Sequence, residues 1–198
     1  MLLVRHGETA WSLTGQHTGT TDVPLTTEGR RQGALIAALL VGRRFALALT
    51  SPLSRAADTA RLAGMGDEAE VDPDLREWDY GEYEGRRTVD IREERPGWDL
   101  WRDGVTGGET VDDVRRRADR VIGRARAAGG DVVLFAHGHL LRVLAARWVG
   151  LPAKCGGMLA LSPASLSVLA WERERPVVEH WNGVAHLVAA RPAQRSAG

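Results

Sequence analysis

The stretch Leu2-Leu3-Val4-Arg5-His6-Gly7-Glu8-Thr9, "LLVRHGET", sets three aliphatic residues directly against an arginine, a histidine and a glycine. A short apolar run closed by polar residues and glycine reads as a buried strand ending in a loop. The same pattern recurs at residues 45–50, "FALALT", followed by "SPLSRAADTA", and in "DVVLFA", followed by His137-Gly138-His139. Between these runs the apolar spacing turns helical. Helices are expected from Thr26 or Thr27 to a closing Gly42, over "SRAADTARLAG" to Gly64, near 87–94, over about 110–128, and over "HLLRVLAARWVG". The stretches "SLSVLAWE" and "VVEHWN" read as closing strands at an edge. Strands alternating with helices imply an α/β protein with a mainly parallel sheet covered on both faces.

Size and composition bound the possibilities. A chain of 198 residues is most simply one domain, here expected over 1–190, with 191–198 a frayed tail. Apolar residues make up 43% and charged residues 26%, too apolar a balance for disorder. Formal net charge is zero, so attraction for an anion must come from local clustering, and the basic footprint of a nucleic-acid binder is missing. Of the 26 basic residues only Lys154 is a lysine. The single cysteine, Cys155, excludes an intramolecular disulfide framework and any thiolate metal cluster, and suggests a reducing compartment. With neither a signal-like amino terminus nor a membrane-length apolar run, a cytoplasmic location and no membrane partner are expected.

Arg5-His6-Gly7 and His137-Gly138-His139 both follow predicted parallel strands, where open α/β sheets form their ligand crevices. A third strand delivers Arg55 to the same rim at the start of a helix, whose free N–H groups favour an anion. Each residue taken alone has a plain structural reading. His137 and His139, two apart, would point to one side of a strand and could hold a metal, but a permanent cation, Arg5, beside His6 argues against a metal and for phosphate.

The blocks "LLVRHGETAW", "SPLSRAADTA", "REWDYGEYEG", "GGET" and "LFAHGH" resemble, in order and spacing, the histidine phosphatase superfamily, also called phosphoglycerate-mutase-like, over Val4 to about Leu151. The resemblance implies a three-layer α/β/α fold with an antiparallel edge strand. It implies that His6 is the nucleophile and forms a phosphohistidine, which requires a neutral imidazole whose other nitrogen is held by a carbonyl. It places Arg5, Arg55 and His137 around the transferring phosphoryl group. Glu77 aligns with the proton donor and would serve both half-reactions, with an acidic pH optimum expected; Glu82 is the backup acid, and Asp79 and Glu84 are read as loop carboxylates.

By the same resemblance Gly7, Thr9, Ser12, Thr18, Gly19, Tyr80 and Gly138 are phosphate or substrate contacts. Ser12 stands where the mutase pattern has asparagine, which puts its direct phosphate contact in doubt. His17 is expected at the surface, with contact to the ligand as the alternative. Of the seven tryptophans, Trp11 and Trp78 lie in catalytic blocks and could wall the pocket, which would suit a sugar or base ring. No cofactor and no metal are implied. Only 59 residues separate Glu77 from His137, less than mutases place there to enclose phosphoglycerate. Phosphomonoester hydrolysis, as in the superfamily's acid phosphatases and sugar phosphatases, is therefore the leading reading, with sugar phosphates ahead of nucleotides; mutase-type phosphoryl transfer is the alternative. The closing strands permit a homodimer.

Overall fold

The computed structural model describes residues 1–189, so the expected tail at 191–198 lies outside the described residues. Six strands form one sheet: β1 (Leu2–Arg5), β2 (Leu47–Thr50), β3 (Glu70–Val71), β4 (Val132–Ala136), β5 (Leu166–Glu172) and β6 (Arg175–Gly183). Their order is β3-β2-β4-β1-β5-β6. The first four pair in parallel, while β5 is antiparallel to β1 and to β6, as expected of the closing strands.

Eight helices accompany the sheet among the described residues: α1 (Ala10–Thr14), α2 (Thr27–Leu40), α3 (Ser54–Leu62), α4 (Thr88–Glu94), α5 (Leu100–Asp103), α6 (Val111–Ala127), α7 (Gly138–Trp148) and α8 (Ala185–Ala189). Their ends follow local chemistry. Thr26 caps α2 by accepting the Gly29 N–H, and Thr110 and Asp113 form a reciprocal box at the start of α6. None of the helices is long and apolar enough to cross a membrane.

Alternation along the strands splits the core in two. Leu3, Leu49 and Leu134 face a cluster that includes Val114, Ala118 and Val121 of α6 and Leu140, Leu141 and Leu144 of α7. Leu2, Val4, Ala48, Val133 and Phe135 face the opposite cluster, with Ile36 and Leu40 of α2 and Ala60 of α3. Three layers result, as the alternation of elements implied.

Register then fixes the rim. Arg5 lies opposite Ala136 and Thr50 opposite Phe135, so His6, Ser51 and His137 leave three adjacent parallel strands at one level. A 3-10 turn at Ala153–Met158, carrying the exposed Lys154, packs under α7.

Candidate active site

His6 is buried, and its Nδ1 lies 2.7 Å from the Gly7 carbonyl. A carbonyl only accepts, so Nδ1 carries the proton and Nε2 keeps its lone pair. Burial first, and then the neighbouring Arg5 and Arg55 cations, hold the ring's pKa well below the ordinary histidine value. Burial and the adjacent arginines together keep the imidazole neutral, with a free lone pair on Nε2. The His137 ring lies 5.2 Å from that of His6, centroid to centroid, and burial together with Arg55 depresses its pKa as well. Its Nε2 is 2.7 Å from the Ser51 hydroxyl, which also accepts the Leu53 N–H.

Arg5 and Arg55 are held from behind. Arg5 donates Nη1 to the Leu161 carbonyl. Arg55, fully buried, donates to the carbonyls of Thr18, Gly19 and Thr21 at 3.0–3.1 Å, and that loop is held in turn by the Glu84 carboxylate, which accepts the Gly19 and Thr21 N–H groups. Among the described residues, five buried side-chain nitrogens or oxygens have no hydrogen-bond partner, and three of these are Arg5 Nε, Arg55 Nε and His137 Nδ1. Buried polar nitrogens are ordinarily satisfied, so three without a partner on residues clustered about His6 mark a place for a hydrogen-bonding ligand, and the two guanidinium N–H groups among them favour an anion.

Glu77 is buried against the start of α7. Its Oε1 accepts from the Trp78 and Leu140 N–H groups and its Oε2 from that of His139, each at 2.9 Å. The carboxyl is thereby fixed by the free N–H groups of the helix terminus.

Arg5, His6, Glu77 and Gly138 line a cavity of about 250 Å³, joined from the expected set by Ser12, Thr18 and Tyr80. Arg55 and His137 lie buried around it. Gly7, Thr9 and Gly19 do other work than the contacts expected of them. The Gly7 N–H is donated to Thr59, and a side chain there would meet the Gly29 carbonyl at 2.4 Å. Thr9 is wholly buried and caps α1, and the Gly19 N–H is donated to Glu84. The Ser12 hydroxyl donates to the Thr9 carbonyl and accepts the Thr9 N–H, so it is occupied by backbone.

Other expectations change too. His17 is buried and lines the cavity, its ring 4.7 Å from that of Tyr80, and burial lowers its pKa to about 4. Trp78 lies in the core with its indole N–H donated to the Glu109 carbonyl, and Trp11 packs beside Gly85; neither lines the cavity. Glu82 is exposed, away from the cavity. His137 and His139 do not share a strand face: His137 caps α7 while His139, inside it, meets the Tyr80 hydroxyl at 2.6 Å. The sequence reading missed Arg142, on α7, as a cavity residue.

A neutral buried imidazole ringed by guanidinium groups, with a fixed carboxyl beside it, is an arrangement suited to holding a phosphate group. The chain belongs to the histidine phosphatase superfamily (branch 1), whose family model matches residues 1–184. It is 43% identical to an acid phosphatase of Mycobacterium tuberculosis over 87% of this chain and 86% of that one. It is 39% identical to sedoheptulose 1,7-bisphosphatase of Saccharomyces cerevisiae over 76% of this chain and 67% of that one, and proteins named as probable phosphoglycerate mutases also match. A solved structure of a Mycobacterium tuberculosis open reading frame superposes with a TM-score of 0.87 at 40% identity, covering 91% of this chain and 95% of that one. The protein is a phosphoric monoester hydrolase.

Proposed function

We propose that the protein hydrolyses small phosphate esters, sugar phosphates foremost and nucleotides next, through a phosphohistidine at His6 and without a metal ion. The observation that carries this reading is the trio of buried unpartnered nitrogens on Arg5, Arg55 and His137 about a neutral imidazole. In the first step His6 Nε2 attacks phosphorus, the ester P–O bond breaks, and Glu77 gives its proton to the leaving oxygen. In the second, the Glu77 carboxylate takes a proton from water, the resulting hydroxide attacks phosphorus, and the P–N bond breaks. Inorganic phosphate leaves, and neutral His6 and protonated Glu77 are restored. The guanidinium groups stabilise the charge on the equatorial oxygens in both steps. Cys155 unpaired and half-buried suits a reducing cytoplasm.

Acid-quench mass spectrometry during turnover tests the mechanism. The expected result is a phosphoryl adduct on the peptide containing His6, absent in His6→Ala, with turnover unaffected by chelator. Turnover with no adduct, or turnover abolished by chelator and restored by metal, overturns it. Phosphoglycerate mutase activity dependent on a bisphosphoglycerate primer would establish the alternative.

A further inference from the structure

The chain between the Ala153–Met158 turn and β5 crosses the rim and holds both Arg5 and His6. The Leu161 carbonyl accepts Nη1 of Arg5, the Ala164 N–H is donated to the His6 carbonyl at 2.9 Å, and the Ser165 carbonyl accepts the Arg5 N–H at 3.2 Å. Leu161 also lines the cavity. Between these contacts the chain turns sharply, the Ser165 N–H reaching the Ser162 carbonyl at 3.2 Å, with buried Ala164 in the left-handed region at φ 53°. A residue other than glycine keeps that conformation only where its surroundings hold it.

Further restraint comes from the sheet edge. Leu166 pairs with Val4 on one side and with Gly183 on the other, so the last residues of β6 stand level with the rim. From there two consecutive side chains reach the crossing segment on either side of Leu161. The Trp181 indole N–H is donated to the Ala160 carbonyl at 2.6 Å, and Asn182 Oδ1 accepts the Ser162 N–H at 2.7 Å. Asn182 sits at φ 56°, a left-handed position that asparagine tolerates better than most residues, and its own N–H is donated to the Ser167 hydroxyl at 3.0 Å. Neither Trp181 nor Asn182 lines the cavity.

The Leu161 carbonyl and the Ser162 N–H belong to one planar trans peptide unit and point in opposite directions from it. Asn182 therefore holds one edge of a rigid plate whose other edge holds Arg5. Without the Asn182 acceptor the plate is free to turn, and the guanidinium turns with it. Arg5 Nε is one of the unpartnered nitrogens about His6, so its direction is what the plate sets. We propose that Asn182, assisted by Trp181, is a positioning residue for the hydrolysis: through the Leu161–Ser162 peptide it aims Arg5 at the transferring phosphoryl group without touching the substrate. This rests on the phosphatase reading, in which Arg5 stabilises the equatorial oxygens.

Two variants at one position test it. Asn182→Gly removes the acceptor but accepts the left-handed backbone, whereas Asn182→Asp retains an acceptor oxygen as well. With p-nitrophenyl phosphate, Asn182→Gly is expected to lower kcat/KM about 10- to 100-fold, the range that a small misplacement near the reacting atoms produces. The inhibition constant of orthovanadate should rise by a comparable factor, because both quantities depend on the guanidinium cage. Asn182→Asp should stay within about threefold of wild type. In an Arg5→Met background, Asn182→Gly should cost less than about twofold more, since the group it aims is gone.

A lower melting temperature with wild-type kcat/KM and vanadate inhibition overturns the proposal, as does an Asn182→Asp loss equal to that of Asn182→Gly or an undiminished loss in the Arg5→Met background. Should Asn182→Gly fail to fold by circular dichroism, Trp181→Phe decides: it removes the donation to Ala160 and should lower kcat/KM about 3- to 10-fold, and wild-type kinetics there would overturn the clamp. Turnover of p-nitrophenyl phosphate, lost in His6→Ala, is the separate control. Its absence in wild type would sink the phosphatase reading, whereas its presence with no response to the residue 181 and 182 variants would sink only the positioning role.

Discussion

Buried Arg117 and half-buried Glu109 face each other as a bidentate pair, Nε to Oε1 and Nη2 to Oε2, both at 2.7 Å. The pair grips the strand of chain that carries Glu77. Arg117 also donates to the carbonyls of Asp74 at 2.7 Å and Arg76 at 2.9 Å, while Glu109 accepts the Asp79 N–H and gives its own carbonyl to the Trp78 indole. Glu77 is thus pinned from behind by α6 and from the front by the N–H groups of α7. Arg117→Met leaves the Glu109 carboxylate without its partner and is expected to cost about 1–3 kcal/mol of stability. It should also displace Glu77, and leaving-group chemistry reports on that. Hydrolysis of an alkyl phosphate, whose alkoxide needs a proton, should fall far more than that of p-nitrophenyl phosphate, whose leaving group does not. Equal losses on the two substrates would assign Arg117 a purely structural role.

The depressed pKa of His6 sets the acid side of the pH–rate profile. Because burial and two guanidinium groups disfavour its protonation, the nucleophile stays neutral through the mildly acidic range. Measured kcat/KM should therefore show no loss centred near 6.5, the ordinary histidine value, as the pH falls. A limb at 6.5 that moves when Arg5 is replaced would contradict this account of the site.

Stability should follow the opposite trend with acid. His17 has a folded pKa of about 4 against 6.5 when unfolded, so between those values the unfolded chain binds the proton that the folded protein refuses. Stability is full above pH 6.5 and declines as pH falls toward 4, by about 3 kcal/mol for this one group. Thermal denaturation across that window should show a midpoint that drops with acid, and His17→Gln should flatten the slope. An unchanged slope in the variant would mean the ring is not held neutral.

Gly7 is required by contact rather than by backbone conformation. A Cβ there would lie 2.4 Å from the Gly29 carbonyl, and one at Gly29 would lie 2.1 Å from the Glu8 carbonyl, so α2 and the loop after β1 touch backbone to backbone. Gly7→Ala must push them apart, at about 1–3 kcal/mol, and shift the carbonyl that orients His6. Loss of both melting temperature and phosphohistidine formation is the expected outcome; wild-type turnover in Gly7→Ala would remove the orienting role from that carbonyl.

The layers and the rim were legible because they rest on local pattern. Apolar runs ending at residues 5, 50 and 136 specify buried parallel strands, and their register brings Arg5, His6 and His137 together without further information. What escaped depends on partners distant in sequence. His17 was read as a surface residue because nothing beside it is apolar; it is buried by Tyr80 and Trp98, more than sixty residues away. The two-residue strand β3 and the four-residue helix α5 are too short to have a period. Arg117 could have been found. In the run of arginines at 115, 116 and 117 only the last falls on the face of Val114, Ala118 and Val121, and a helical phase separates it from its exposed neighbours. Arg142 carried a similar signal, a cation set between Leu141 and Val143 on α7, but the Trp101 ring it lies over stands on α5 and could not be placed.

Having Lys154 as its only lysine makes the turn at Ala153–Met158 chemically addressable. The Met1 amine is donated to the Leu169 carbonyl, midway along β5. A succinimidyl fluorophore on the exposed Lys154 would sit two and three residues before the Gly156 and Gly157 carbonyls, which accept from Arg142. Such a dye would convert occupancy of the active site into an optical signal, with no engineered residue in the protein.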